Sequence, residues 1–237
     1  MAEVERSDLD AKRENLLDVV LDKLHKAGKT IIFSRIIYVA RFSRREQQID
    51  SMKAFHEQLV EKHDPGNEIS GMLLVYPACM MHMLEGRTST LLAYLKDVIS
   101  ATPSESNIAE TRVISSTEDI PSRCYHGWFS SFINTVSSVD TMDPCDSTTI
   151  VKNATELNVY LRKVGQSLQG QSESEIKRRL ASLDSYVEGT PAPEVVLSLT
   201  PAEDAPSIPE YLDIFSGPVN VDLDVESVWP MPNPLKF

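Results

Sequence analysis

Residues 80–87 read Met80-Met81-His82-Met83-Leu84-Glu85-Gly86-Arg87, "MMHMLEGR". An apolar run closed by a glycine and followed by "TSTLLAYLKDVISA" predicts a strand that turns sharply into a helix. Side chains alternate along an extended chain, so Met80, His82 and Leu84 share one face and Cys79, Met81 and Met83 the other. His82 therefore points where its apolar neighbours point, inward. The ordinary reading of such a histidine is a core residue satisfied by a hydrogen bond, and the alternative is a ligand or catalytic role.

The neighbouring segments extend the pattern in both directions. Before it, "ISGMLLVYP" is a second short strand, joined to the first by the hairpin-length connection Pro77-Ala78. Further upstream, "TIIFSRIIYVARF" at 30–42 is rich in β-branched and aromatic residues and reads as a strand. From Ser43 to about His63, Ile49, Met52, Phe55, Leu59 and Val60 recur at helical spacing until "HDPGN" stops them. Downstream, Leu91, Tyr94, Leu95 and Val98 form a helical stripe capped by Thr88 or Ser89, and "AETRVISSTEDI" and "HGWFSSFINT" are two further strands. The order is strand, helix, strand, strand, helix, strand, strand. It predicts an α+β fold: a ferredoxin-like split βαβ sheet with one added strand and two helices on one face.

The opposite face of that sheet needs a cover, and the flanking segments supply candidates. Residues 1–29 hold an amphipathic helix built on Leu9, Leu16, Leu17, Val20, Leu21 and Leu24, with Ser7 as its cap and Gly28 as its stop. The sheet domain takes 30–137. Residues 150–189 carry a pair of helices in which Asn153 with Glu156, and Ser172 with Glu175, have capping-box spacing. Residues 190–237 hold nine of the fourteen prolines and eight acidic residues against one lysine, yet they also contain Val195, Leu197, Tyr211, Phe215 and the alternating "VNVDLDVES". The expectation is an extended acidic arm that docks onto a protein partner, with folding back on its own domain as the alternative.

A chain of 237 residues, 41% hydrophobic and 24% charged, is long enough to bury a sizeable core. Its net charge of -12 argues against nucleic-acid or anionic-membrane partners, and no run of about eighteen apolar residues offers a membrane span. Three widely spaced cysteines, 79, 124 and 145, and a charged N-terminal stretch fit a cytoplasmic protein with free thiols. Catalysis has no support in motif: GxSxG, Walker, HExxH and GxGxxG patterns are absent. A zinc site from Cys79, His82, Cys124 and His126 is disfavoured, because an offset of three on a strand puts Cys79 and His82 on opposite faces. No catalytic or metal-ligating residue is expected.

"ARFSR", "ISGMLLVYPACMMHMLEGR" and "CYHGWFSSF", spread over Ile31 to Phe132, resemble the BLUF family of blue-light sensors, which bind flavin on a ferredoxin-like domain. The resemblance implies a ring-binding set in which Tyr38 keeps a tyrosine and Trp128 a tryptophan. His82 stands where the family has glutamine, Asp64 at or near an asparagine, and Ser130 at a methionine. These departures imply a degenerate pocket. An imidazole cannot exchange donor and acceptor as an amide does, and an ionised carboxylate facing a flavin carbonyl costs roughly 1 to 3 kcal/mol. The expectation is no cofactor and no photochemistry, with an FAD-binding light or redox sensor as the alternative. The layout with flanking helices is similar to a testis-expressed, sperm-associated branch with this domain, which implies protein partners in the flagellar or ciliary axoneme.

Overall fold

The computed structural model describes residues 16–26, 28, 31–43, 49–64, 66, 68–101, 107–137 and 145–217. Helix α1 spans Leu16–Lys26 and stops at Gly28, whose amide donates to the His25 carbonyl at a φ of +68°. The central unit runs β1 Phe33–Phe42, α2 Ile49–His63, β2 Ser70–Val75, β3 Cys79–Arg87, α3 Thr88–Ser100, β4 Ile108–Thr117 and β5 Trp128–Phe132. Strands are ordered β4-β1-β3-β2-β5; β1, β2, β3 and β4 pair antiparallel, and β5 joins β2 in parallel. The first four reproduce the ferredoxin-like order, and β5 is the added edge.

β1, β2 and β3 are buried along almost their whole length, because both faces of the sheet are covered. One face presents Ile36, Tyr38, Ala40, Leu73, Met80 and Leu84 to α2 and α3. The other presents Ile37, Val39, Met72, Leu74, Met81 and Met83 to α4 Ser147–Leu168, α5 Glu173–Ala181 and the short α6 Leu183–Tyr186. The alternation expected for 79–84 holds, with Cys79 on the second face and His82 on the first. Close packing of β2 on β3 depends on Gly71. At its φ of +152°, a Cβ would meet the Met83 carbonyl oxygen at 2.0 Å.

Besides the start of α3, where Arg87 and not Thr88 or Ser89 holds the cap position and makes no side-chain cap bond, two expectations need correction. Asn153 does not cap its helix: α4 begins at Ser147 with Asp146 as the cap, accepting from the Thr149 amide, and Asn153 lies inside it, donating to Ser198 Oγ. Ser172 does cap α5, accepting from Glu175. The second correction concerns the arm. Between 190 and 217 it is not extended but forms two helices, α7 Pro193–Leu199 and α8 Ile208–Ser216. Two of its prolines start helices rather than break them: Pro193 opens α7, and Pro209 sits in the first turn of α8 behind a Ser207–Glu210 capping box. Val196, Leu197 and Leu199 are buried on the α4 face, and Ile208, Tyr211 and Leu212 on the α3 face. The Ser7 cap, Leu9 and "VNVDLDVES" lie outside the described residues.

A buried charged pair spans the central strands. Arg35 on β1 stands opposite Glu85 on β3 and donates twice to its Oε1, from Nε at 2.8 Å and Nη2 at 2.6 Å. Glu85 also accepts from Ser70 Oγ and from the amides of Cys124 and Tyr125. The carboxylate thus ties β1, β2, β3 and the segment leading into β5.

Because α7 and α8 complete both layers, a chain ending at Gly189 is expected to melt far below the full chain or to stay unfolded. Leu197→Ala alone should cost about 2 to 5 kcal/mol in denaturant unfolding, the usual loss for a fully buried leucine. A truncated chain melting with the full one would place these helices outside the core.

Candidate functional site

Tyr38, His82 and Trp128 meet on the α2/α3 face. The β1–β3 register sets Tyr38 directly opposite His82, and the phenol oxygen lies 2.9 Å from His82 Nδ1. From the other side, Trp128 on β5 donates its indole N–H to His82 Nε2 at 2.9 Å. Two helical residues close the cluster. Tyr94 on α3 and His56 on α2 are hydrogen-bonded at 2.6 Å, and their rings pack on His82 with centroids 5.9 and 5.1 Å away. Tyr38, His56, His82 and Tyr94 are fully buried.

The donors fix the protonation pattern. An indole nitrogen only donates, so His82 Nε2 must carry a lone pair and Nδ1 the proton, which is given to Tyr38. Burial pushes the Tyr38 phenol up, and the nearby Tyr94 hydroxyl opposes that push. His56 Nε2 is the one buried side-chain polar atom among the described residues without a hydrogen-bond partner. Hydrogen bonds run from Trp128 through His82 to Tyr38, the Tyr94–His56 pair packs beside them, and the unpartnered His56 Nε2 is a costly arrangement for a buried polar atom.

Both imidazoles are held neutral. Burial lowers His56 to about 3, and burial, then the nearby His56, lowers His82 well below the ordinary histidine value. For His82 the reason is visible in the geometry, since a proton on Nε2 would face the Trp128 N–H donor to donor. Burial likewise raises Tyr94 well above the usual phenol range. None of these groups is poised to exchange protons with solvent near neutral pH.

Asp64 and Ser130 stand apart from this cluster. Asp64 lies just past α2, where its two carboxylate oxygens accept from the backbone amides of Glu68, at 2.6 Å, and of Ile69. It organises the entry to β2 rather than facing a ring, which corrects the expectation drawn from the resemblance. Ser130 lies on β5 opposite Leu73 and lines cavities on the outer side of that strand. Every polar atom of Tyr38, His82, Asp64 and Trp128 named above is engaged by a neighbouring side chain or amide. His56 was overlooked in the sequence, although it follows Phe55 and precedes Leu59 on the apolar stripe of α2, between the buried Met52 and Leu59. That spacing was the available signal.

The strand order defines a ferredoxin-like α+β domain with one added parallel strand, on which Tyr38, His82 and Trp128 meet. The chain belongs to the testis-expressed protein 47 family, whose model matches residues 32–217. Among solved structures it is similar to the isolated BLUF domain of BlrP1, with 15% identity over 68% of this chain and 98% of that one at a TM-score of 0.36. It is also similar to a bacterial light-regulated adenylyl cyclase, with 14% identity over 57% and 36% at 0.37. The Klebsiella pneumoniae BlrP1 manganese and cyclic-diGMP complex gives 19% over 43% and 24% at 0.35. This chain therefore spans 36% and 24% of those two longer chains.

The neutral histidines give stability a pH dependence of definite sign. A histidine near 6.5 when unfolded and far lower when folded binds more protons in the unfolded chain, so stability falls as pH drops below about 6.5. Each should lose about 2 kcal/mol by pH 5, before the exposed carboxylates begin to titrate. Urea unfolding between pH 7 and 5 should show this loss, and His56→Phe should remove about half of the slope. A flat profile would contradict neutral burial of both rings.

Proposed function

We propose that this chain is a non-enzymatic interaction module: a BLUF-type domain without flavin or photochemistry, whose protein partners lie in the sperm flagellum or ciliary axoneme. The closed relay of Trp128, His82 and Tyr38 carries this reading. Direct bonds of 2.9 Å join the three side chains, so no ring fits between them as they stand, and each atom that would bind a flavin edge already has a partner. Asp64 favours the same conclusion, since its carboxylate belongs to the backbone turn. With both histidines neutral and walled off, the interior offers no nucleophile or acid–base pair to a substrate. The flagellar setting draws on the testis expression in the family's description.

The purified full chain is expected to be colourless, with no flavin absorption between 350 and 500 nm and no spectral shift under blue light. His82→Gln with Asp64→Asn should gain no flavin, because Tyr94 and His56 still fill the space beside residue 82. Stoichiometric bound flavin in the native protein would overturn the reading.

For the setting, immunogold labelling of maturing sperm is expected to decorate the axoneme. Label confined to the head or the cell body would reject the flagellar assignment while leaving the spectroscopic one standing.

A further inference from the structure

Among the described residues β5 is the terminal strand of the sheet, with β2 on one side and no further strand beyond it. Its ladder with β2 fixes which backbone groups face outward. Gly127 accepts from Gly71 and Ile133 donates to Val75, so the odd-numbered residues bond to β2 while the N–H and C=O of Trp128, Ser130 and Phe132 face away. Two cavities run along this outer edge, of about 480 Å³ toward the start of β5 and about 310 Å³ toward its end. Lys53 from α2 and Lys177 from α5 line both, as do Ser130 and Leu180, so the two form one groove between the helical layers.

The two ends of the groove differ in charge. At the first, Glu57 and Glu173 accompany the lysines, and each pairs with the lysine of its own helix, Lys53–Glu57 at 3.5 Å and Lys177–Glu173 at 2.9 Å. At the second, both lysines line the cavity and no carboxylate does; the rest of its wall is Val75, two serines, Phe132, Leu180 and Ala181. Exposed pairs within one helix are weak and exchange readily for a new partner. A short row of outward backbone donors and acceptors with two cations above its far end suits an extended chain carrying an acidic side chain.

We propose that the open edge of β5 is a docking groove for an extended segment of a protein partner. The segment adds as a sixth strand beside Trp128–Phe132, with an Asp or Glu seated between Lys53 and Lys177. This rests on the interaction reading above and names the surface and the partner's chemistry.

The test is selection of a phage-displayed library of random twelve-residue peptides against the full chain, with affinities of the enriched peptides measured by fluorescence anisotropy. Enriched sequences are expected to alternate apolar residues around an Asp or Glu. Their binding should weaken at least tenfold with Lys53→Glu or Lys177→Glu, and equally when alternate peptide amides are N-methylated. Both lysines are exposed, so these variants should melt with the parent chain. No enrichment over a mock selection, or enriched peptides indifferent to both lysine variants, overturns the proposal. Self-association of the chain lost in Lys177→Glu, or peptide binding that appears only after removal of 218–237, also overturns it, by assigning the groove to a second copy or to the chain's own segment. None of these outcomes bears on flavin absorption, so this failure is distinct from failure of the broader reading.

Discussion

The buried pair of Arg35 and Glu85 is the constraint from which the sheet's geometry follows. A fully buried carboxylate without a cation is expensive by several kcal/mol, and Glu85 meets that demand with Arg35, Ser70 and the Cys124 and Tyr125 amides. The Arg35–Glu85 match and the Tyr38–His82 match belong to one antiparallel register. A slip of one residue between β1 and β3 would break both at once and turn the charged side chain into the wrong layer. The charge on one face of the sheet thereby positions the polar relay on the other.

The same carboxylate reaches the tryptophan. By holding the Cys124 and Tyr125 amides it anchors the segment immediately before β5, and Trp128 enters the sheet three residues later with its indole aimed at His82. Helix α4 presses on that segment from the other layer, where a Cβ on Gly165 would come within 2.8 Å of the Cys124 carbonyl. Only glycine lets the helix approach so closely. The relay is therefore fixed by packing on both sides. Its chemistry differs in kind from an amide's: glutamine offers one donor and one acceptor that can trade places by rotation. Neutral His82 has its lone pair claimed by a permanent donor and its proton by a phenol, so it has no second arrangement to adopt.

Much of this was legible in the sequence, and the exceptions have physical causes. Period-two alternation through Cys79–Leu84 identified both faces of β3 because tertiary burial followed it residue by residue. The Tyr38–His82 bond was foreseeable once both were placed on central strands. Proline misled in the C-terminal third, where composition suggested an extended arm. Proline breaks a helix in its interior but suits its first turn, and the "SIPE" capping box at 207–210 was readable by the rule that identified Ser172. Asp64 and Arg35 were harder to assign. Whether a carboxylate faces a pocket or its own backbone, and whether an arginine inside a strand finds a buried partner, depends on contacts far apart in the chain.

Covering both faces of the sheet leaves its two edges as the places where backbone can meet another chain, and the two are treated differently. β4 is partly closed by the chain itself. Val113 donates to the Pro206 carbonyl, Arg112 to Thr200, and Ile208 to the Thr111 hydroxyl, so the α7–α8 connection lies along that edge. At β5 the contact is with side chains of α2 and α5, and Ser131 donates to the Leu180 carbonyl of α5. Trp128 stands at the boundary, one side committed to His82 and the other lining the groove. In the reading proposed above, the side chains that bond to one another in the interior leave recognition to the surface. The rim of the sheet then offers the proposed docking place, where an edge strand, an aromatic wall and a pair of lysines coincide.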